Sequence, residues 1–229
     1  MSTVLFVGGT LVLTTALMYL TAVTAAVLQR GPLPFNPLLH PLENAFRLLL
    51  LGVCLLLVWI SRLPLERFGF VSFSFRRDVA TAVLVGLGIA WSLNAVSRLI
   101  LPEAPSGFYS KNALQSVRPR SPQELVGVCL VAVPAALLEE VLFRGIWVGG
   151  FSAWLPPLLL IAVSAALFGV MHLAQGTWGV IATGLMGALL GAMFVWTGSL
   201  WFVLGVHWTI NANQFVVAYL WPSFFGLNQ

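Results

Sequence analysis

Charge is what this sequence has least of. Eleven Lys or Arg and seven Asp or Glu make up 8% of its 229 residues, against roughly 25% in an ordinary soluble domain. A water-soluble globule of this size could not cover its surface with so few charges, so a soluble enzyme is excluded. A disordered chain is excluded too, because that state goes with low hydrophobicity and 59% of these residues are hydrophobic. The net charge of +4 comes from basic residues scattered in short loops. They build no dense basic face, and no nucleic-acid partner is expected. Cysteine is nearly absent: Cys54 and Cys129 each sit inside an apolar run, so no disulfide framework is indicated.

What the chain has in abundance is long apolar runs. They fall at about 4–28, 45–61, 79–101, 125–143, 157–174, 179–197 and 199–220, most near the roughly 20 residues that cross a ~30 Å hydrocarbon layer. This predicts an all-α fold, a polytopic transmembrane helical bundle of about seven spans, forming a single integral-membrane domain over 1–229 with the lipid bilayer around it. The first run has no Lys or Arg before it and no small-residue cleavage site followed by a polar stretch, so it is read as a retained helix. Gly31-Pro32-Leu33-Pro34 breaks the chain after it. Ser121-Pro122-Gln123-Glu124 reads as an N-cap with a capping-box Glu at the start of the fourth span, and Pro156-Pro157 suits the first turn of the fifth. The longest loop, 102–124, holds Glu103, Lys111, Arg118 and Arg120 and is expected to cover part of one mouth of the bundle. With the N-terminus inside, Arg62, Arg67, Arg76, Arg77 and Arg144 face one side and Arg30, Arg47, Arg98, Lys111, Arg118 and Arg120 the other. That is no asymmetry, and the positive-inside rule gives no orientation.

Ionisable residues inside spans are costly, which makes each one a candidate for function. Here they gather in the last hundred residues. The fourth span ends with Glu139, Glu140 and Arg144, the fifth with Phe168 and His172, and the seventh carries His207 and Asn211. Glu140 and Arg144 stand one turn apart and can pair. Glu139 is rotated by about 100° from Glu140, so one carboxylate can be structural while its neighbour works. Ser164, Phe168 and His172 form a stripe on the fifth span, and His207 and Asn211 share a face on the seventh. If these stripes converge, they enclose a carboxylate, two imidazoles and an amide. A carboxylate so placed can take a proton from water as it attacks a carbonyl and return it to the leaving amine. A His and an Asn can donate to the resulting oxyanion. Gly187-x-x-x-Gly191, with Gly184 before it, reads as close helix packing. His40, in a Pro-rich loop, is expected to be solvated.

Glu139-Glu140-x-x-x-Arg144, Phe168-x-x-x-His172 and His207-x-x-x-Asn211, in that order, resemble the motifs of the CPBP family, the CAAX-protease and bacteriocin-processing group of intramembrane proteases. The resemblance covers roughly 121–215, and the first three spans carry no family signal. It implies an intramembrane endopeptidase acting on a membrane-anchored protein or peptide, in prenyl-protein, sorting-signal or bacteriocin-type processing. Glu139 and His172 would activate water, His207 and Asn211 would form the oxyanion hole, and Glu140, Arg144 and Phe168 would support them. The membrane expected is a bacterial or archaeal plasma membrane. The mechanism expected is metal-free and cofactor-free, with a zinc site from Glu139, His172 and His207 as the alternative.

Other intramembrane protease chemistries lack their residues. A two-aspartate site is impossible with Asp78 as the sole aspartate, no His-Glu dipeptide starts an H-E-x-x-H zinc motif, and Gly198-Ser199 is a poor nucleophile context. A proton-coupled transporter using the Glu/His cluster as a relay is the competing class. It would show broken helices in two repeated halves, whereas the polar set occupies only the later spans.

Overall fold

The computed structural model describes residues 1–100, 105 and 107–225. Among these, eight α-helices and no strand occur: α1 (Ser2–Gln29), α2 (Pro41–Ser61), α3 (Ala82–Ile100), α4 (Lys111–Val117), α5 (Pro122–Glu140), α6 (Pro157–Val170), α7 (Gly176–Thr197) and α8 (Leu200–Leu220). Each apolar run of the sequence becomes a helix, and α4 is an extra one inside the longest loop. Glu103, assigned to that loop, lies outside the described residues. Five segments are long and apolar enough to cross a membrane: Ser2–Gln29, Pro41–Ser61, Phe75–Ile100, Pro122–Ala153 and Leu173–Thr197. The apolar α6 has only 14 residues. The 21-residue α8 is made less apolar by His207, Asn211, Asn213 and Gln214. This is an integral membrane protein.

Helix ends follow the punctuation. The Ser121 hydroxyl accepts from the Glu124 N–H at 3.1 Å, and Glu124 reaches back to the Arg120 N–H at 2.8 Å. The fourth span is longer than the expected 125–143. It starts at Pro122 and continues past Glu140 as a π-helix, Val141–Gly150, in which every residue is buried. The run from Val141 to Gly150 is apolar apart from Arg144, and nothing in it marks where the winding changes. The fifth span is shorter than expected, because α6 ends at Val170 and His172 falls in the turn before α7.

Two close helix pairs shape the bundle. On the α6–α7 side, a Cβ on Gly187 would lie 3.0 Å from the Ala165 Cα, and one on Gly169 would lie 2.7 Å from the Val180 carbonyl. On the α3–α8 side, a Cβ on Gly86 would lie 2.7 Å from the Thr209 Cβ. The lead into α3 is tied to the start of α8 by Asp78, whose side chain accepts from Ser199 Oγ at 2.9 Å and from Arg77 Nε at 2.7 Å. Ser199, the poor nucleophile candidate, is the N-cap of α8. Leu39, just before α2, touches the Cβ position of Gly127, and the Phe68 carbonyl, just after it, faces that of Gly145. Helices α2 and α5 therefore run side by side in the same direction.

Candidate active site

The two adjacent glutamates at the end of α5 have different surroundings. Glu140 is fully buried, and its Oε1 accepts from Arg144 Nη1 at 2.9 Å and from His207 Nδ1 at 2.6 Å. Glu139 keeps 34% of its side chain exposed, and its Oε2 lies 3.6 Å from His207 Nε2. His207, delivered by α8, thus stands between both carboxylates. The rotation of about 100° between neighbouring helical residues separates a locked acid from an accessible one.

Arg144 is held as firmly as its partner. It is fully buried, donates from Nη2 to the Gly187 carbonyl at 3.2 Å, and lies 4.6 Å from the centre of the Phe168 ring. Gly187 therefore serves twice: without a side chain it lets α6 approach, and its carbonyl receives the guanidinium. Phe168 also meets Phe143, His172 and His207 edge-on or tilted, with ring centres 5.0, 4.7 and 5.8 Å away. Ser164 donates to the Phe143 carbonyl at 2.9 Å, tying α6 to the π-wound segment.

His172 sits just beyond α6. Its Nδ1–H donates to the Phe168 carbonyl at 2.8 Å, which leaves Nε2 as a lone-pair acceptor. Asn211 follows His207 by one turn of α8. Glu139, Phe168, His172, His207 and Asn211 all line one cavity of about 870 Å³, with Glu140 and Arg144 behind them. The structure thus brings together every residue singled out in the three motifs. Among the described residues, no three His, Cys, Asp or Glu side chains are grouped so as to hold a metal ion.

The rest of the cavity comes from parts that sequence reasoning passed over. Tyr109, Ser110, Leu114 and Arg118 line it, so the described part of the long loop forms part of the cavity lining. That loop is fastened beside His172: the Ser110 N–H donates to the Gln175 carbonyl at 3.0 Å, and the Trp178 N–H to the Phe108 carbonyl at 2.8 Å. Burial pushes the Tyr109 phenol up, so it remains a neutral donor. His40, expected to be solvated, is half-buried, packs against Phe35 at 5.0 Å between ring centres and lines the same cavity. Its Pro-rich surroundings fold back against the bundle.

Residues 121–213 match the family model of the type II CAAX prenyl endopeptidases, Rce1-like. That stretch is similar to the Rce1-like peptidases. It runs from the Ser121 cap into α8, under half of the chain, and contains all seven residues of the three motifs. Neither a curated protein nor a solved structure matches. The Rce1-like match agrees with the resemblance seen in the motifs, and it supports a peptidase of the membrane acting on membrane-associated proteins.

Proposed function

We propose that this protein is an intramembrane endopeptidase of the glutamate type, which cleaves a membrane-anchored or lipid-modified protein with water activated by Glu139 and His172. One observation carries the proposal: the accessible Glu139, His172, His207 and Asn211 line a single cavity, while Glu140 and Arg144 are locked behind it. Water between Glu139 and His172 Nε2 gives a proton to the carboxylate as its oxygen bonds to the scissile carbonyl carbon. The negative charge moves to the carbonyl oxygen, where Asn211 Nδ2 and a protonated His207 Nε2 donate to it. The C–N bond then breaks, and the Glu139 proton passes to the leaving amine. Glu140 supports this by accepting from His207 Nδ1, which fixes the ring with Nε2 toward the cavity. No step requires a cofactor. The membrane is read as a bacterial or archaeal plasma membrane, in keeping with the family resemblance.

The test is turnover of a prenylated C-terminal peptide by purified protein in lipid nanodiscs. Wild type should stay active after exhaustive zinc chelation, and Glu139→Gln should lose about 10²–10⁴ of the rate while keeping its fold. Full turnover by Glu139→Gln would sink the assignment. Restoration of chelated enzyme by zinc alone would replace the metal-free route with a Lewis-acid one.

A further inference from the structure

The cavity that holds the site is also lined by basic residues. Arg47, on α2, and Arg118, just beyond α4, both line it, together with His40 and Glu43. Each arginine has a buried guanidinium nitrogen with no hydrogen-bond partner among the described residues: Nη1 of Arg47 and Nε of Arg118. Glu43 does not relieve Arg47, because its carboxylate is 3.8 Å from Nη2, is 46% exposed, and leaves Nη1 unpaired. Arg47 lies within an apolar segment able to span the membrane, where an arginine is expensive to keep. An unpaired, buried N–H is more expensive still. Two such donors lining one cavity suit an anion.

The position relates that anion to the reaction. Leu39 lies against Gly127, and α2 runs parallel to α5. Arg47 is about two turns beyond Leu39, level with Ala135, which also lines the cavity. Glu139 is about one turn, ~5.4 Å, further along α5. With neighbouring helix axes about 8–10 Å apart, Arg47 is on the order of 10 Å from Glu139, roughly three residues of extended chain.

We propose that Arg47 and Arg118 bind the free α-carboxylate of the substrate, so that the protein measures its cut from the chain end. The inference rests on the peptidase proposal and deepens it. A guanidinium offers a planar fork that suits a carboxylate. Both arginines lie outside the Rce1-like stretch, so the segments without family signal supply this anchor.

Binding tests it without turnover. Full-length Glu139→Gln protein in zwitterionic nanodiscs is titrated with a fluorescent peptide ending in a prenylated C-a-a-X sequence, as free acid or as terminal carboxamide. The acid should bind about tenfold more tightly. The preference should shrink with Arg47→Lys, which keeps charge without the fork, and approach unity with Arg47→Gln plus Arg118→Gln. Equal binding of acid and amide by the parent overturns the anchor with no variant needed. So does a preference that survives the double substitution, or no binding of either peptide. If the arginines matter only when phosphatidylglycerol is added, they hold a lipid phosphate and the proposal also falls. Hydrolysis is assayed separately with wild type. Cleavage without acid preference defeats the anchor alone, and acid-selective binding without cleavage defeats the peptidase proposal.

Discussion

Helices α1 to α3 and helices α5 to α8 use the membrane in opposite ways. In the most apolar windows of the first three spans, 17%, 22% and 17% of residues are buried inside the protein, against 39% and 33% for the spans built on α5 and α7. The first group is wall, and most of its surface meets lipid. The second carries more of the interior, where buried side chains such as Glu140 and Arg144 touch fixed neighbours. A lipid-facing leucine needs only to be apolar, because hydrocarbon is as apolar as another leucine. Glu140, Arg144 and His207 must each meet a fixed partner. The contrast explains why the recognisable motifs and the family match lie in the interior group, and why the wall contributes through isolated residues such as Arg47.

The contrast breaks most visibly at the site. His172→Ala removes the acceptor opposite Glu139 and should lower turnover of the prenylated peptide by about 10²–10⁴; near-normal rates would remove it from the water-activating pair. Asn211→Ala should cost about 10²–10³ in kcat, leaving activity that remains detectable, and an unchanged kcat would make Asn211 an interhelical link only. Next comes the locked pair. Arg144→Leu strands the buried Glu140 carboxylate, and a loss of about 3–5 kcal/mol is expected, read as a lower denaturation midpoint in detergent. Unchanged stability there would mean that the pair is dispensable to the interior. At the far end of the scale, Leu11→Ala in α1 removes a side chain that is 48% exposed. It should shift stability by no more than about 0.5 kcal/mol, and a larger loss would show that the wall is packed more specifically than its exposure indicates.

The all-helical fold was legible because apolar runs of membrane-crossing length have few other solutions. The caps were legible as well, since Ser121 and Pro157 satisfy or avoid orphan N–H groups by chemistry visible in sequence. The site was legible through spacing: Glu140 with Arg144 and His207 with Asn211 each lie one turn apart. What escaped depended on contacts between distant segments. Nothing local reveals that the Gly187 carbonyl receives Arg144, although a guanidinium has more donors than one carboxylate oxygen can occupy. The change to π-winding at Val141 has no local marker in the sequence. Asp78 entered the sequence reading only as the sole aspartate, yet its side chain has no exposed surface, and Ser199 comes from the far end of the chain to meet it. His40 was misjudged for the same reason, since its neighbours in space are not its neighbours in sequence.

The Asp78–Ser199 bond has a consequence for how the protein is made. A chain enters the membrane in order of synthesis, so α1 can pack with α2, and α6 with α7, soon after each pair emerges. Helix α3 has no such early partner. The face around Gly86 fits Thr209 of α8, and the carboxylate at its base waits for a hydroxyl 121 positions away. Until α8 arrives, the third span stands in lipid with one side unmatched and an acid held only by Arg77 and the Ser74 N–H. Insertion of the last helix therefore closes the bundle and delivers His207 in the same movement, so a chain halted before that step has neither a finished wall nor a complete set of reacting groups.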